Sequence, residues 1–298
     1  MSLFVGLDCG GSSSRVLAVD DDGNVVFQGQ SGAANLASTP EGKLRRNLLH
    51  ATEGCPAPDY ACGCFAGLVS EDLRRRGEEL MRQIFPKAHV RAEPDYTAAL
   101  FASPPGTDIC VIAGTGSLIC SRVDGKIVKS GGRGFILGDF GSGYHYGRDA
   151  VLHYLDNQER SSASLVEAIS EVFGSLDEGS IVGQIYRAGS PAATLGKMAK
   201  ALASDAKAGE PYALASVETN TLKLAGIVAA HAMNYHANQP ELSIGLTGGV
   251  WKSATIIRER FEVHLRQLLP AQEIRVQRVN RPPLYGAVEL AKEMSHRN

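Results

Sequence analysis

Val5-Gly6-Leu7-Asp8-Cys9-Gly10-Gly11-Ser12-Ser13 opens the chain, and Val111-Ile112-Ala113-Gly114-Thr115-Gly116-Ser117 repeats its plan about a hundred residues later. Each is a short apolar, β-branched run that reads as a strand, ended by glycines and hydroxyl residues that force a tight turn. The flanks repeat too. Residues 15–19 and 118–123 read as second strands, Asp20-Asp21-Asp22-Gly23-Asn24 and Asp124-Gly125 as hairpin turns, and residues 25–28 and 126–129 as third strands. The period is far too long for a solenoid, so the pattern predicts duplicated domains.

Outward from these units, apolar periodicity alternates between helix and strand. Helices are expected at residues 40–54, 70–84 (opened by a cap at Ser70) and 96–102, with strands at 60–65 and 88–92. After the second unit come helices at 143–155, 162–173, 181–186, 191–206 and 212–236. A strand at 241–246, a helix at 252–269, a strand at 273–276 and a helix at 284–294 complete the chain. The predicted class is α/β, with two mixed halves and a helical insertion at about 147–238 in the second. Domain boundaries are expected at residues 1–108 plus 284–298 for the first half and 109–283 for the second.

Bulk properties exclude several functions. Thirty basic residues nearly balance 32 acidic ones, leaving a net charge of −2 and no basic field for nucleic acid or membrane. The opening residues lack a basic start and Asp8 stops their apolar run, so no signal peptide is expected and the protein reads as cytoplasmic. The longest nearly charge-free stretch, 224–240, contains His231, Asn234, His236 and Asn238 and reads as a core helix. Cys62, Cys64, Cys110 and Cys120 lie in strand-like runs, and Cys62-Gly63-Cys64 lacks the second pair that would complete a zinc site. Reduced, structural thiols are expected. His145, His153, His231 and His236 show no metal grouping.

The glycine turns carry the chemistry. Gly10 and Gly11 let backbone N–H groups approach phosphate oxygens, Ser12 and Ser13 add hydroxyl donors, and Asp8 places a carboxylate where hydrated Mg²⁺ would sit. Gly114, Thr115 and Gly116 offer the same in the second unit. Either turn alone is no more than a glycine hairpin; two in a duplicated frame suit one nucleotide's phosphates. A third element, Thr247-Gly248-Gly249, follows a strand, precedes a helix and suits an adenosine pocket, with Trp251 expected on the adenine side. A Walker loop and a dinucleotide fingerprint are both absent.

These motifs resemble the two phosphate motifs and the adenosine motif of the actin, sugar kinase and heat-shock ATPase superfamily. Residues 131–143, Gly-Gly-Arg-Gly-Phe-Ile-Leu-Gly-Asp-Phe-Gly-Ser-Gly, resemble a segment of the BadF/BadG/BcrA/BcrD ATPase family, and within it the N-acetylglucosamine and glucosamine kinases. Tyr285-Gly286-Ala287 matches that family's closing segment. The resemblance implies duplicated ribonuclease-H-like domains around a cleft that holds ATP and Mg²⁺, and transfer of phosphate to the 6-hydroxyl of N-acetylglucosamine or glucosamine. It also implies roles for single residues. Asp95, which by itself reads as a helix cap, matches the general base. Asn35, Gly67, Gly132, Arg133 and Asp139 match sugar-binding positions. Arg133 stands where these kinases commonly have tryptophan, and Phe140 where they have glutamate. The implied partners are a sugar and ATP, without nucleic acid or membrane, and a homodimer is left open. Two other functions are compatible with the motifs: an ATPase activator of a radical dehydratase, whose cysteine positions Cys62 and Cys64 do not match, and a non-catalytic sugar or nucleotide sensor.

Overall fold

The computed structural model describes residues 2–296. Met1, Arg297 and Asn298, which the sequence assigns to the first half, lie outside the described residues. The chain divides into two compact units, Met1–Gly106 with Val279–Asn298, and Thr107–Arg278.

The first unit runs β1 (Phe4–Cys9), β2 (Ser13–Val19), β3 (Val25–Gly32), α1 (Glu41–Ala51), β4 (Tyr60–Phe65), α2 (Glu71–Ile84), β5 (His89–Pro94) and α3 (Asp95–Phe101). The second begins with β6 (Ile109–Ala113), β7 (Ser117–Val123) and β8 (Lys126–Gly131). Six helices follow: α4 (Gly143–Asp156), α5 (Ala163–Phe173), α6 (Glu178–Arg187), α7 (Pro191–Gly196), α8 (Ala199–Ala208) and α9 (Pro211–Tyr235). It closes with β9 (Glu241–Thr247), α10 (Val250–Ser253), α11 (Thr255–Leu268) and β10 (Glu273–Arg278), and α12 (Pro283–Ser295) returns to the first unit.

The duplication is one of topology. The first sheet has the order β3-β2-β1-β4-β5 and the second β8-β7-β6-β9-β10. In each, three antiparallel strands form a meander and two more add in parallel to the first strand of the unit. A hairpin can join antiparallel neighbours, whereas each parallel step needs a crossover, which helices supply.

Period-2 alternation buries both faces of the first sheet. Val5 and Leu7 of β1 pack with Leu44 and Leu48 of α1 and Met81 of α2. Phe4, Leu17, Cys62 and Cys64 face the other way, onto Ala98 of α3 and Ala287, Leu290 and Ala291 of α12. In the second unit the inserted helices join one core with the strands, with Ile109, Val111, Leu165, Leu224 and Phe261 among its buried members. That core also holds a polar chain: His231 is hydrogen-bonded to Ser121 Oγ and Ser130 Oγ, both at 2.8 Å, and His236 Nε2 meets Ser121 Oγ at 3.0 Å. Burial and the neighbouring His236 push the His231 pKa down to about 4.

The helix expected at 191–206 is two. It breaks after Gly196, where the Leu195 carbonyl packs on Gly147 of α4 and Met198 N donates to that same carbonyl in a tight turn. The helix expected at 252–269 is also divided, by extended backbone at Ala254, while Ser253 Oγ donates to the Val250 carbonyl and closes α10. All six cysteines are free, and every one but the half-buried Cys55 is buried. No helix of the described residues is long and apolar enough to cross a membrane.

Candidate active site

In the first unit, β1 ends at the turn that Gly10 N closes by donating to Ser13 O at 2.9 Å. Two other loops are tied to it. Ala34 N donates to Gly10 O (3.0 Å) and Ala66 N to Cys9 O (2.8 Å), while Leu36 N reaches Ala66 O (3.0 Å). This brings Asn35 and Gly67 to the first turn. Asn35 Oδ1 accepts from the amides of Ala37 (2.9 Å) and Ser38 (3.0 Å), which leaves its NH₂ group as the end that can offer hydrogen bonds to a ligand. Gly67 has φ +75°, and a Cβ there would collide with Asn35 Oδ1 and sit 2.9 Å from Ala37 N. No other residue fits.

Asp95 is the first residue of α3, and its Oδ1 accepts from Tyr96 N at 2.9 Å. The junction that presents it is braced by Glu93, buried and ion-paired with Arg74 (3.1 Å) and Arg91. Asp8, at the end of β1, has its pKa raised, first by burial and then by the charge of Asp95; Arg15 acts in the opposite direction. Two carboxylates that repel each other, one of them desolvated, call for a cation. Their oxygen donors fit Mg²⁺, which takes its remaining ligands from phosphate and water. Among the described residues no group of three or more His, Cys, Asp or Glu could hold a metal by itself.

In the second unit Gly114 N donates to Gly116 O (2.9 Å), and the start of α4 closes over the turn as Gly143 N donates to Gly114 O (2.7 Å) and Tyr144 N to Thr115 O (3.2 Å). Asp139 lies directly behind this turn. A Cβ on Gly116 would stand 2.5 Å from Asp139 Oδ2, so a side chain at that position would have to displace the carboxylate. Asp139 itself is a non-glycine residue at φ +57°, and its buried Oδ1 has no hydrogen-bond partner. Burial raises its pKa, against the Gly134 amide, His145 and the Ser117 amide, which lower it. Asp139 thus joins a left-handed backbone to a buried carboxylate oxygen without a hydrogen-bond partner among the described residues.

Gly248 lies against the Ala113 carbonyl at the end of β6, beside Gly114, and Gly249 is the N-cap of α10. Gly132 packs on Leu118, and Arg133 is exposed in the loop that leads to Asp139. The structure therefore gathers Asp8, Gly10, Gly11, Ser12, Ser13, Asn35, Gly67 and Asp95 in one unit, and Gly114, Thr115, Gly116, Asp139, Gly248 and Gly249 in the other. Trp251, which follows the Gly248-Gly249 element, is buried in the core of the second unit, where Nε1 donates to the Val111 carbonyl (3.2 Å) and the ring packs against Phe261. Sequence reading passed over Lys129 and Lys223, which line the same groove as Arg133 and Asp139 although 94 positions separate them. Nothing in the sequence links them.

A model of the BadF/BadG/BcrA/BcrD ATPase family matches residues 5–288. An N-acetylmuramic acid/N-acetylglucosamine kinase of Clostridium acetobutylicum is 22% identical over 98% of this chain and 99% of its own. A glucosamine kinase of Vibrio cholerae is 31% identical over 53% of this chain and 56% of its own. Among solved structures, a candidate N-acetylglucosamine kinase of Chromobacterium violaceum superposes with a TM-score of 0.72, at 22% identity, covering 98% of this chain and 99% of that one. With a match from the first glycine turn to the final helix, the chain belongs to the BadF/BadG/BcrA/BcrD ATPase family.

Proposed function

We propose that the protein is an ATP-dependent sugar kinase that phosphorylates the 6-hydroxyl of N-acetylglucosamine or glucosamine, with Asp95 as general base. The observation that carries this reading is the meeting of Asp95 and Asp8 beside a turn that also holds Asn35 and Gly67. A base, a cation-seeking carboxylate, phosphate donors and a hydroxyl-binding amide are the parts a sugar kinase requires. The names carried by the Clostridium and Vibrio relatives support the choice of amino sugar, and the family supports ATP.

In this reading the backbone amides and hydroxyls at residues 10–13 and 114–116 bind the phosphates of ATP, and Gly248 and Gly249 take the adenosine. Mg²⁺, held through water at Asp8, would neutralise phosphate charge when bound. Asn35, Gly67, Gly132, Arg133 and Asp139 bind the acceptor. Its hydroxyl oxygen forms a bond to the γ-phosphorus while the bond from that phosphorus to the β–γ bridging oxygen breaks. Asp95 receives the hydroxyl proton and ADP departs. The test is Asp95→Asn, assayed by ADP release with N-acetylglucosamine and with glucosamine. Turnover should fall about 10²–10⁴-fold with ATP affinity retained; full activity in this variant removes Asp95 from the mechanism.

A further inference from the structure

Asp8 and Asp95 bring two carboxylates to the first glycine turn, where the kinase reading places the phosphates of ATP. The backbone amides and the hydroxyls of Ser12 and Ser13 offer only partial positive charge. A formal positive charge enters from β2. In the antiparallel register of β1 and β2, Arg15 stands directly opposite Asp8. Cβ atoms in such pairs lie about 5 Å apart, so the two side chains share one face of the sheet. That face is the one α3 covers: Leu17, two residues on from Arg15, packs with Phe4 of β1 and Ala98 of α3. Asp95 begins that helix. Ser13 shares the face, because Ser14 between them is buried on the other side, where its Oγ donates to the Gly32 carbonyl at 2.9 Å. An arginine that served only the fold at this register would pair with Asp8. Arg15 instead is exposed, and although its charge acts on Asp8, its side chain closes no ion pair or hydrogen bond among the described residues.

From this placement we infer that Arg15 is a further catalytic residue, whose guanidinium binds the phosphoryl group in transfer. The inference rests on the proposed kinase reading and adds a residue to it. A guanidinium keeps its proton and presents a planar fork of N–H donors that matches two phosphoryl oxygens. Exposure leaves it open to a ligand that arrives from solvent. The acceptor oxygen bonds to the γ-phosphorus, the bond to the β–γ bridging oxygen breaks, and the acceptor proton passes to Asp95. Arg15 neither gains nor loses a proton in this step. It donates two hydrogen bonds to non-bridging oxygens and sets its charge against theirs, beside two carboxylates that would otherwise repel them.

The test sets Arg15→Ala and Arg15→Lys against the intact wild-type protein. Two readouts are used: ADP release with N-acetylglucosamine and glucosamine, and calorimetric binding of ADP and of the non-hydrolysable β,γ-imido analogue of ATP. Arg15→Ala should lower kcat about 100-fold or more while KM for ATP stays within about fivefold. It should weaken the analogue about tenfold and leave ADP within about twofold, because only the analogue carries the terminal phosphate. Arg15→Lys keeps the charge without the fork and should recover part of the binding and little of the turnover. Retained ADP binding also shows that each variant has folded. Wild-type turnover in Arg15→Ala, or equal weakening of ADP and the analogue, overturns the inference and leaves the kinase reading intact. Selective loss of the analogue, where the wild-type protein releases no ADP with either sugar, supports the phosphoryl contact and overturns the kinase reading. A wild-type protein that neither binds the analogue nor releases ADP overturns both.

Discussion

The two glycine turns occupy the same place in the same sheet order, yet each is supported differently. The first ends at Asp8, and its ligand-facing groups come from loops tied to it by backbone hydrogen bonds, with Asp95 raising the Asp8 pKa. Around Gly11 there is open space. The second turn is packed shut from behind by Asp139 and roofed by the start of α4. The first turn lies beside two carboxylates, and the second is enclosed by its neighbours. One framework occurs twice, and the loops inserted between strands give the two turns different surroundings.

The largest effect expected from this contrast is on the charged turn. Asp8→Asn should reduce turnover about 100-fold or more, by analogy with the loss of a charge-positioning group, and yet raise the thermal midpoint. A carboxyl whose folded pKa is raised costs stability at neutral pH, and that cost is relieved as pH falls through the raised value, so a neutral isostere recovers it. A lowered midpoint measured by calorimetry would contradict the cost of burying the Asp8 carboxylate beside Asp95.

Next comes a pH effect confined to the second unit. His231 has its pKa lowered to about 4 from an ordinary value of 6.5. The unfolded chain therefore binds a proton that the folded one refuses between these values, and stability falls as pH drops from 6.5 to 4 and levels off below. About 3 kcal/mol is the upper bound for such a shift. The protein's one tryptophan, Trp251, is buried in that same unit. Urea titrations followed by its fluorescence should show the loss, and His231→Gln should flatten it.

The smaller effects separate the cradle from the open turn. Gly116→Ala drives a methyl into Asp139 and should cost about 2 kcal/mol of stability. Gly11→Ala meets nothing within 4 Å and should stay within about 0.5 kcal/mol. Equal losses in the two variants, measured by denaturant unfolding, would mean that the turns are packed alike.

Much of the framework is legible in residues alone. The paired strand–turn–strand units needed only period-2 alternation, glycines and Asp-Gly hairpins, which are local signals. Helices with strong caps, such as α2 with Ser70 Oγ accepting from Leu73 N, were equally plain. The breaks at Gly196 and Ala254 were not. Helical periodicity continues through both, and packing of α7 on α4 and a serine hydroxyl bonded to its own helix decide them. The burial of Trp251 was not legible either, since the residue follows a glycine turn and only the packing of the second unit encloses its ring.

What the sequence determined by itself is therefore the duplicated α/β plan and the two glycine turns, because turn chemistry and residue type are local properties. Only the tertiary structure decided how the two glycine turns differ. Asp95 at the start of α3 acts on Asp8 at the end of β1, and Asp139 seats behind Gly116. It also set Lys223 opposite Arg133. Each of these pairs is far apart in the chain, and their fields and contacts exist only once the sheets and helices have packed.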